Sequence, residues 1–157
     1  MTKSPFVRSL FLGAAASILA VSTASAAGPF QFYSVTPCRI VDTRNAPNAQ
    51  GTGGPVMPAL SQRNFPIAGL CGVPTTAKAA ALNVTVVQPT STGHLSFWPY
   101  NTPQPFVSTL NYVGGDLAIA NGAIVPLAAD ANFHVSAFAG ISTGSLHLII
   151  DVTGYFQ

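Results

Sequence analysis

The ionisable residues that could do chemistry are few, and most of them lie in one short segment. Arg39, Asp42 and Arg44 fall within residues 38–44, and Asp151 lies near the end of the sequence. A charged side chain that is buried alone is costly, so each of these groups is expected to have a partner. Two interpretations are open: a ligand-binding Asp/Arg cluster, or structural ion pairs that tie the first strand to its neighbours. We favour the structural interpretation.

The sequence lacks the common catalytic and metal-binding patterns. It contains no G-x-S-x-G, and its four aspartates are widely spaced and accompanied by no glutamate, so no carboxyl pair for glycoside hydrolysis stands out. His94, His134 and His147 show neither H-x-H nor H-E-x-x-H spacing. We therefore predict no metal site, no cofactor and no enzymatic activity, with a small secreted hydrolase as the catalytic alternative.

Aromatic residues near the middle of the chain could bind a sugar. Trp98 and Tyr100 stand beside a turn that contains Pro103 and Pro105. Flat rings can stack on the apolar face of a sugar while nearby amides supply hydrogen bonds. This pattern predicts a glycan-stacking pair, Trp98 and Tyr100. The competing interpretation, which we prefer, places Phe97 or Trp98 at one end of the hydrophobic core.

Two cysteines, Cys38 and Cys71, predict one disulfide bond if the protein is exported. The loop that they would close contains residues 45–55, which are rich in turn-forming Gly, Pro and Asn. For a loop of this length the chain-entropy model gives a stabilisation on the order of 4 kcal/mol. Two free thiols or a shared metal ion are the alternatives.

The N-terminal segment has the features of a cleavable signal peptide. Lys3 and Arg8 supply positive charge, residues 9–21 form an uncharged and mostly apolar run, and residues 24–26 read Ala-Ser-Ala. We predict a signal peptide over residues 1–26 and a single mature domain over 27–157. No membrane span is expected after cleavage, because no second apolar run of spanning length follows. The predicted destination is the medium or the cell surface, with the periplasm as the alternative.

The mature chain is expected to be neutral. The whole sequence carries a formal charge of +2, but Lys3 and Arg8 would leave with the signal peptide, so the four remaining basic residues balance the four aspartates. A nucleic-acid partner is therefore not expected, since binding to phosphate needs clustered Lys and Arg. A protein with no net charge lacks mutual repulsion, which favours self-association or adhesion.

Alternation of apolar and polar residues dominates the chain from residue 30 onward and predicts an all-β fold. Gly, Pro, Asn and Thr interrupt the pattern about every ten residues, as expected for an antiparallel β-sandwich or jelly roll. The predicted strands, nine in number, cover residues 32–35, 39–43, 63–67, 80–87, 94–98, 107–112, 123–127, 133–137 and 146–152.

The same alternation assigns side chains to the two faces of three strands. On the core side it places Ala80, Leu82, Val84, Val86, Phe133, Val135, Ala137, Leu146, Leu148, Ile150 and Val152. On the opposite side it places Asn83, Thr85, His134, Ser136, His147, Ile149 and Asp151.

Several motifs, taken in order, resemble those of a β-rich domain of exported bacterial proteins. They are VTPCRIVDTR at residues 35–44, CGVP at 71–74, LNVT at 82–85, STLN at 108–111 and DVTGYF at 151–156. In that family the domain occurs alone or is appended to secreted proteins. The resemblance implies an accessory role at the cell surface or wall, and it brings no catalytic residues.

These observations together predict a non-catalytic structural or adhesion module that acts at the cell surface or in the extracellular matrix. Its expected partners are further copies of itself or polysaccharides of the cell envelope or matrix. A glycan-binding module is the principal alternative.

Overall fold

The computed structural model describes residues 28–130 and 134–157, which form nine β-strands and, in that part of the chain, no helix. The strands are β1 (Phe32–Asp42), β2 (Met57–Pro58), β3 (Gln62–Phe65), β4 (Ala79–Val87), β5 (Gly93–Pro99), β6 (Leu110–Tyr112), β7 (Ala118–Pro126), β8 (Val135–Ile141) and β9 (Ser145–Phe156). The predicted signal peptide, residues 1–26, and the predicted core residue Phe133 lie outside the described residues. Within those residues there is no apolar helix of membrane-spanning length.

The strands are arranged in two antiparallel sheets. The first has the order β1-β9-β4-β7, and the short β2 pairs with β9 as well. The second has the order β3-β8-β5-β6. Buried hydrophobic residues from both sheets form one cluster between them. The prediction of an all-β antiparallel sandwich with nine strands is confirmed.

Side-chain alternation on β4 and β9 explains how the first sheet contributes to this core. The predicted inner residues of both strands are buried, and Leu146, Leu148, Ile150 and Val152 are completely so. On β4, Ala80, Leu82, Val84 and Val86 are buried as well, so the predicted core residues of both strands are confirmed. Ile149, predicted to face away from the core, is nevertheless only 5% exposed, because Asp42 on β1 and Thr85 on β4 flank it on the neighbouring strands. Asp151, between two core residues of an extended strand, must therefore point away from the core.

Strand boundaries differ from the prediction where the pairing is irregular. Two predicted strands, 32–35 and 39–43, form the single strand β1, whose pairing with β9 shifts between Ser34 and Cys38 and again between Arg39 and Val41. Pro37 lies in the first shift, and its lack of a backbone N–H explains why the regular ladder is interrupted there.

Other boundaries change because exposed segments carry little hydrophobic patterning. β7 begins at Ala118, five residues before the predicted strand 123–127, and β6 begins only at Leu110 rather than at 107. The strand predicted over 133–137 continues in the structure to Ile141. The short β2 has no counterpart among the predicted strands.

The segment between β5 and β6 folds over the outer face of the second sheet. The Ser96 hydroxyl donates to the Val107 carbonyl, and the Phe97 backbone N–H donates to Thr109 Oγ1 at 2.9 Å. Ser136, predicted to face outward, is nevertheless fully buried, because Asn64 and Trp98 flank it on the neighbouring strands. Its hydroxyl donates to Asn64 Oδ1 at 2.8 Å.

A disulfide bond joins Cys38 on β1 to Cys71, with the two Cα atoms 5.8 Å apart, which confirms the predicted pairing. The bond connects the edge of the first sheet to the connection between β3 and β4.

Candidate functional site

Strand register brings the predicted charged residues together on the outer face of the first sheet. Arg39 on β1 pairs with Asp151 on β9, and Asp151 pairs in turn with Asn83 on β4. These three residues therefore form one row across three strands, with neighbouring side chains on the same face.

Arg39 and Asp151 make a two-point ion pair. Arg39 Nε lies 2.8 Å from Asp151 Oδ1, and Nη2 lies 3.2 Å from Oδ2. This parallel geometry is the stronger form of contact between a guanidinium and a carboxylate. Asp151 raises the pKa of Arg39, chiefly through these hydrogen bonds.

Asp42 is held by a second guanidinium. Arg44 donates to it from Nε at 2.8 Å and from Nη2 at 2.6 Å, and the Arg44 backbone N–H adds a third bond at 3.1 Å. Arg39 Nη1 also lies 3.5 Å from Asp42 Oδ2. The hydrogen bonds from the Arg44 side chain are the main reason that the pKa of Asp42 is lowered.

The four residues thus form one continuous network in the order Arg44, Asp42, Arg39, Asp151, and we call it the charged network. It contains two positive and two negative groups, so its net charge is zero. The Asp42 side chain is only 7% exposed, whereas the two arginines are about half exposed. The network joins β1 to β9 at the irregular part of their pairing.

Beside the charged network lies an open groove of about 670 Å³. It is lined by Pro37, Cys38, Arg39, Asn83, Asp151 and Thr153. Thr153 already uses its hydroxyl to donate to the Ala81 carbonyl at 3.3 Å. The Asn83 amide, by contrast, makes no hydrogen bond within the described part of the chain. The groove therefore offers amide donors and acceptors next to a neutralised ion pair, which suits an uncharged polar ligand.

The aromatic pair predicted to stack on a glycan lies elsewhere, on the second sheet and the loop that follows β5. Trp98 is 4% exposed, and its indole N–H donates to the Thr102 carbonyl at 3.1 Å. The loop covers the ring, so neither ring face is open. Tyr100 is half-buried and packs edge-on against His134, with ring centroids 5.8 Å apart.

The three histidines occupy separate positions with different neighbours. His94 lies against Gly140, His134 contacts Asp130 at 2.9 Å, and His147 Nδ1 lies 3.3 Å from Thr43 Oγ1. Across residues 28–130 and 134–157, no group of three or more His, Cys, Asp or Glu side chains could hold a metal ion.

Arg63 on β3 is an anchoring residue that was not predicted from the sequence. Its guanidinium donates to the carbonyls of Pro55, Gly53 and Gly54, at 2.6, 3.0 and 3.3 Å, and lies 4.8 Å from the centre of the Phe65 ring. Burial lowers the pKa of Arg63. Arg63 thus fixes the far end of the long loop after β1. The sequence signal that could have indicated this role is the position of an arginine two residues before Phe65, a core residue.

The chain was compared with protein-family models and with curated proteins, and neither comparison gave a match.

Proposed function

We propose that this chain is an exported, non-catalytic structural module that acts at the cell surface or in the extracellular matrix by associating with further copies of itself. The observation that carries the proposal is the closed charged network. Its ionised groups bind one another and their charges balance. They therefore stabilise the strand pairing and are not arranged to bind a charged substrate or partner.

The arrangement of carboxylates supports a non-catalytic role. Asp42 and Asp151 are each held at two points by an arginine, Asp130 accepts from His134, and Asp116 accepts from the Val113 backbone N–H at 2.9 Å. A general base or nucleophile needs a carboxylate with a free oxygen directed at a substrate. Each of these four has its main contacts within the protein.

The surface supports association through uncharged contacts. Phe32, Leu117 and Ile124 are large hydrophobic residues that are more than half exposed. On the outer face of the first sheet, Ile124 is the register partner of Ala81, and Ala81 is the partner of Gly154. Small and apolar residues therefore form a patch outside the charged network, of the kind that favours contact with another protein surface.

Light scattering coupled to size-exclusion chromatography tests the proposal on the chain without residues 1–26. The expected mass exceeds that of one chain and rises with protein concentration. The assembly should persist at high salt, because screening by salt weakens charged contacts but not apolar ones. A mass of one chain at every concentration would contradict self-association, and an assembly that dissociates in salt would contradict its uncharged nature.

A second candidate function, glycan binding, is favoured by the groove beside Asn83. The unpaired amide of Asn83 and the carboxylate oxygens of Asp151 could hydrogen-bond to the hydroxyl groups of a neutral sugar. This location differs from the predicted Trp98 and Tyr100 pair, since the Trp98 ring is covered.

Binding to a panel of neutral polysaccharides, followed by isothermal titration with the fragments that bind, tests this candidate. Asn83→Ala should weaken binding about tenfold, as expected for the loss of one or two hydrogen bonds. The matched control is Asn111→Ala, an exposed asparagine on β6 in the other sheet. Equal affinity of the two variants would exclude the groove, and no binding to any polysaccharide would exclude the function.

A further inference from the structure

The two sheets have four edges, and three of them carry features that hinder pairing with another strand. β1 contains Pro37, Arg39 and two register shifts. β3 has four residues, one of them Arg63, and β6 has only three residues. Short length, proline, charge and irregular pairing are the usual ways in which proteins protect an edge.

The fourth edge, β7, has a different character. Its nine residues pair with β4 in nine consecutive steps without a register shift. None of the nine is charged, and the one proline, Pro126, is at the last position. Ile124 is 66% exposed, and Ala118, Ala120 and Gly122 are exposed as well. A long, regular, uncharged edge strand is a template for a further strand.

The backbone hydrogen bonds show which groups of β7 remain open. The Leu127 N–H donates to the Lys78 carbonyl, and the Gln88 N–H donates to the Leu117 carbonyl. Odd-numbered residues therefore direct their backbone groups toward β4. In an antiparallel pair the direction alternates, so the even-numbered residues direct theirs away from β4. These are Ala118, Ala120, Gly122 and Ile124.

These outward groups have no partner within residues 28–130 and 134–157. β7 pairs with β4 alone, and none of the other hydrogen bonds uses a backbone group of an even-numbered residue of β7. A strand placed along this edge would form its ladder without displacing an existing bond.

Gly122, at the middle of β7, independently indicates that another backbone approaches this edge. A Cβ atom built on Gly122 would have nothing within 4 Å, and its φ lies outside the left-handed region. The folded chain itself therefore places no demand for glycine there, although glycine weakens a strand. Glycine inside a strand is typical of sites where another backbone approaches closely.

A second copy of β7 fits this edge in both charge and shape. Two antiparallel copies related by a two-fold axis at Gly122 would place the two glycines opposite each other. Ala120 of each copy would lie opposite Ile124 of the other, so a small side chain would face a large one. Neither strand carries a charge, so no like charges would meet.

We infer that β7 is the self-association edge of this protein and pairs antiparallel with β7 of a second copy, joining two first sheets into one continuous sheet. The inference rests on the proposed function, since it names the surface through which the module associates.

Substitution of Ala120 tests the inference. Ala120→Pro removes an outward N–H and leaves every bond between β4 and β7 in place, and Ala120→Lys adds a charge at the edge. Each should weaken association at least about tenfold, because the two-fold axis doubles every loss. The matched control is Ala120→Thr, which keeps the N–H and should associate like the wild type. Circular dichroism and a thermal melt would establish that each variant is folded.

Amide hydrogen exchange of the wild type, measured by NMR at rising protein concentration, gives a second test that needs no variant. The amides of Ala120, Gly122 and Ile124 should exchange more slowly as concentration rises. The amides of Ile119, Asn121 and the other odd-numbered residues of β7 should be protected at every concentration, since β4 already binds them.

The outcomes separate the two proposals. A wild type that stays monomeric overturns both. A wild type that associates while folded Ala120→Pro and Ala120→Lys associate equally well overturns the β7 inference alone. The same holds if exchange at the even-numbered amides is independent of concentration in a protein that associates.

Discussion

Arg39 and Asp151 are separated by 112 positions in the sequence, yet their side chains meet in a two-point contact with Nε 2.8 Å from Oδ1. The pair links β1 to β9, and Asp42 extends it to Arg44. The strongest charged contacts of this nearly uncharged domain are therefore concentrated at one strand pairing.

Asp42→Asn is expected to lower the free energy of unfolding by about 2 kcal/mol, because it removes the charge that holds Arg44 and faces Arg39. Urea denaturation would measure the loss. Asp116→Asn is the matched control, since its carboxylate caps a turn at the surface, and it should cost less. Equal losses would show that the network has no special role.

Stability should also depend on acid through Asp42. Its pKa is lowered in the folded protein, chiefly by hydrogen bonds from Arg44, so protonation favours the unfolded state. The stabilisation is fully present at pH values above the ordinary aspartate pKa of about 3.9. It is lost as the pH falls through the lower pKa that Asp42 has in the folded protein. Urea midpoints measured across the acid range should fall less steeply for Asp42→Asn than for the wild type.

Arg63→Met should destabilise the protein by about 2 kcal/mol, because three loop carbonyls lose a charged donor and the Phe65 ring loses the guanidinium that lies over it. The loop of residues 43–56 should become susceptible to limited proteolysis. Lys78→Met removes a charge from an exposed position and serves as the control. A loop equally resistant in both variants would exclude the anchoring role.

The double variant Cys38→Ser with Cys71→Ser should lose on the order of 4 kcal/mol of stability. Chemical denaturation with and without a reducing agent would measure it. The reduced wild type should unfold at the same denaturant concentration as the double variant. A variant as stable as the oxidised wild type would mean that packing alone holds this connection.

Tyr112 should ionise only in strong alkali, because burial raises its pKa to about 12. An ultraviolet titration should show a late phase that Tyr112→Phe abolishes. In the unfolded chain Tyr112 has the ordinary tyrosine pKa of about 10. The stability that the neutral, buried phenol contributes is therefore lost as the pH rises from about 10 through about 12. A titration without a late phase would contradict this assignment.

The faces of β4 and β9 were predictable because alternation is a local property of an extended strand. Every second residue from Leu146 to Val152 is aliphatic, which assigns that face to the core. Alternation did not predict that Ile149, on the other face, is buried as well. The disulfide was predictable for a similar reason, since a chain with two cysteines has one internal pairing available.

Contacts made by irregular segments were not predictable in this way. Trp98 is covered by the loop that follows β5, and no sequence pattern in that loop predicts its conformation. Arg63 binds backbone carbonyls, which every residue possesses, so its partners cannot be identified from their residue types. The pairing of Arg39 with Asp151 depends on a register that includes two shifts, and such shifts depend on the whole sheet.

The position of β9 within the first sheet also bears on when the fold can form. β9 lies between β1 and β4 and pairs with β2 as well, although it follows all the other strands in the sequence. One of the two central positions of the sheet therefore stays unoccupied until β9 has been synthesised, and β1 has no partner strand until then. Such long-range pairing folds slowly. In a protein exported as we propose, this delay would keep the chain extended during passage through a translocation channel and postpone compaction until the far side.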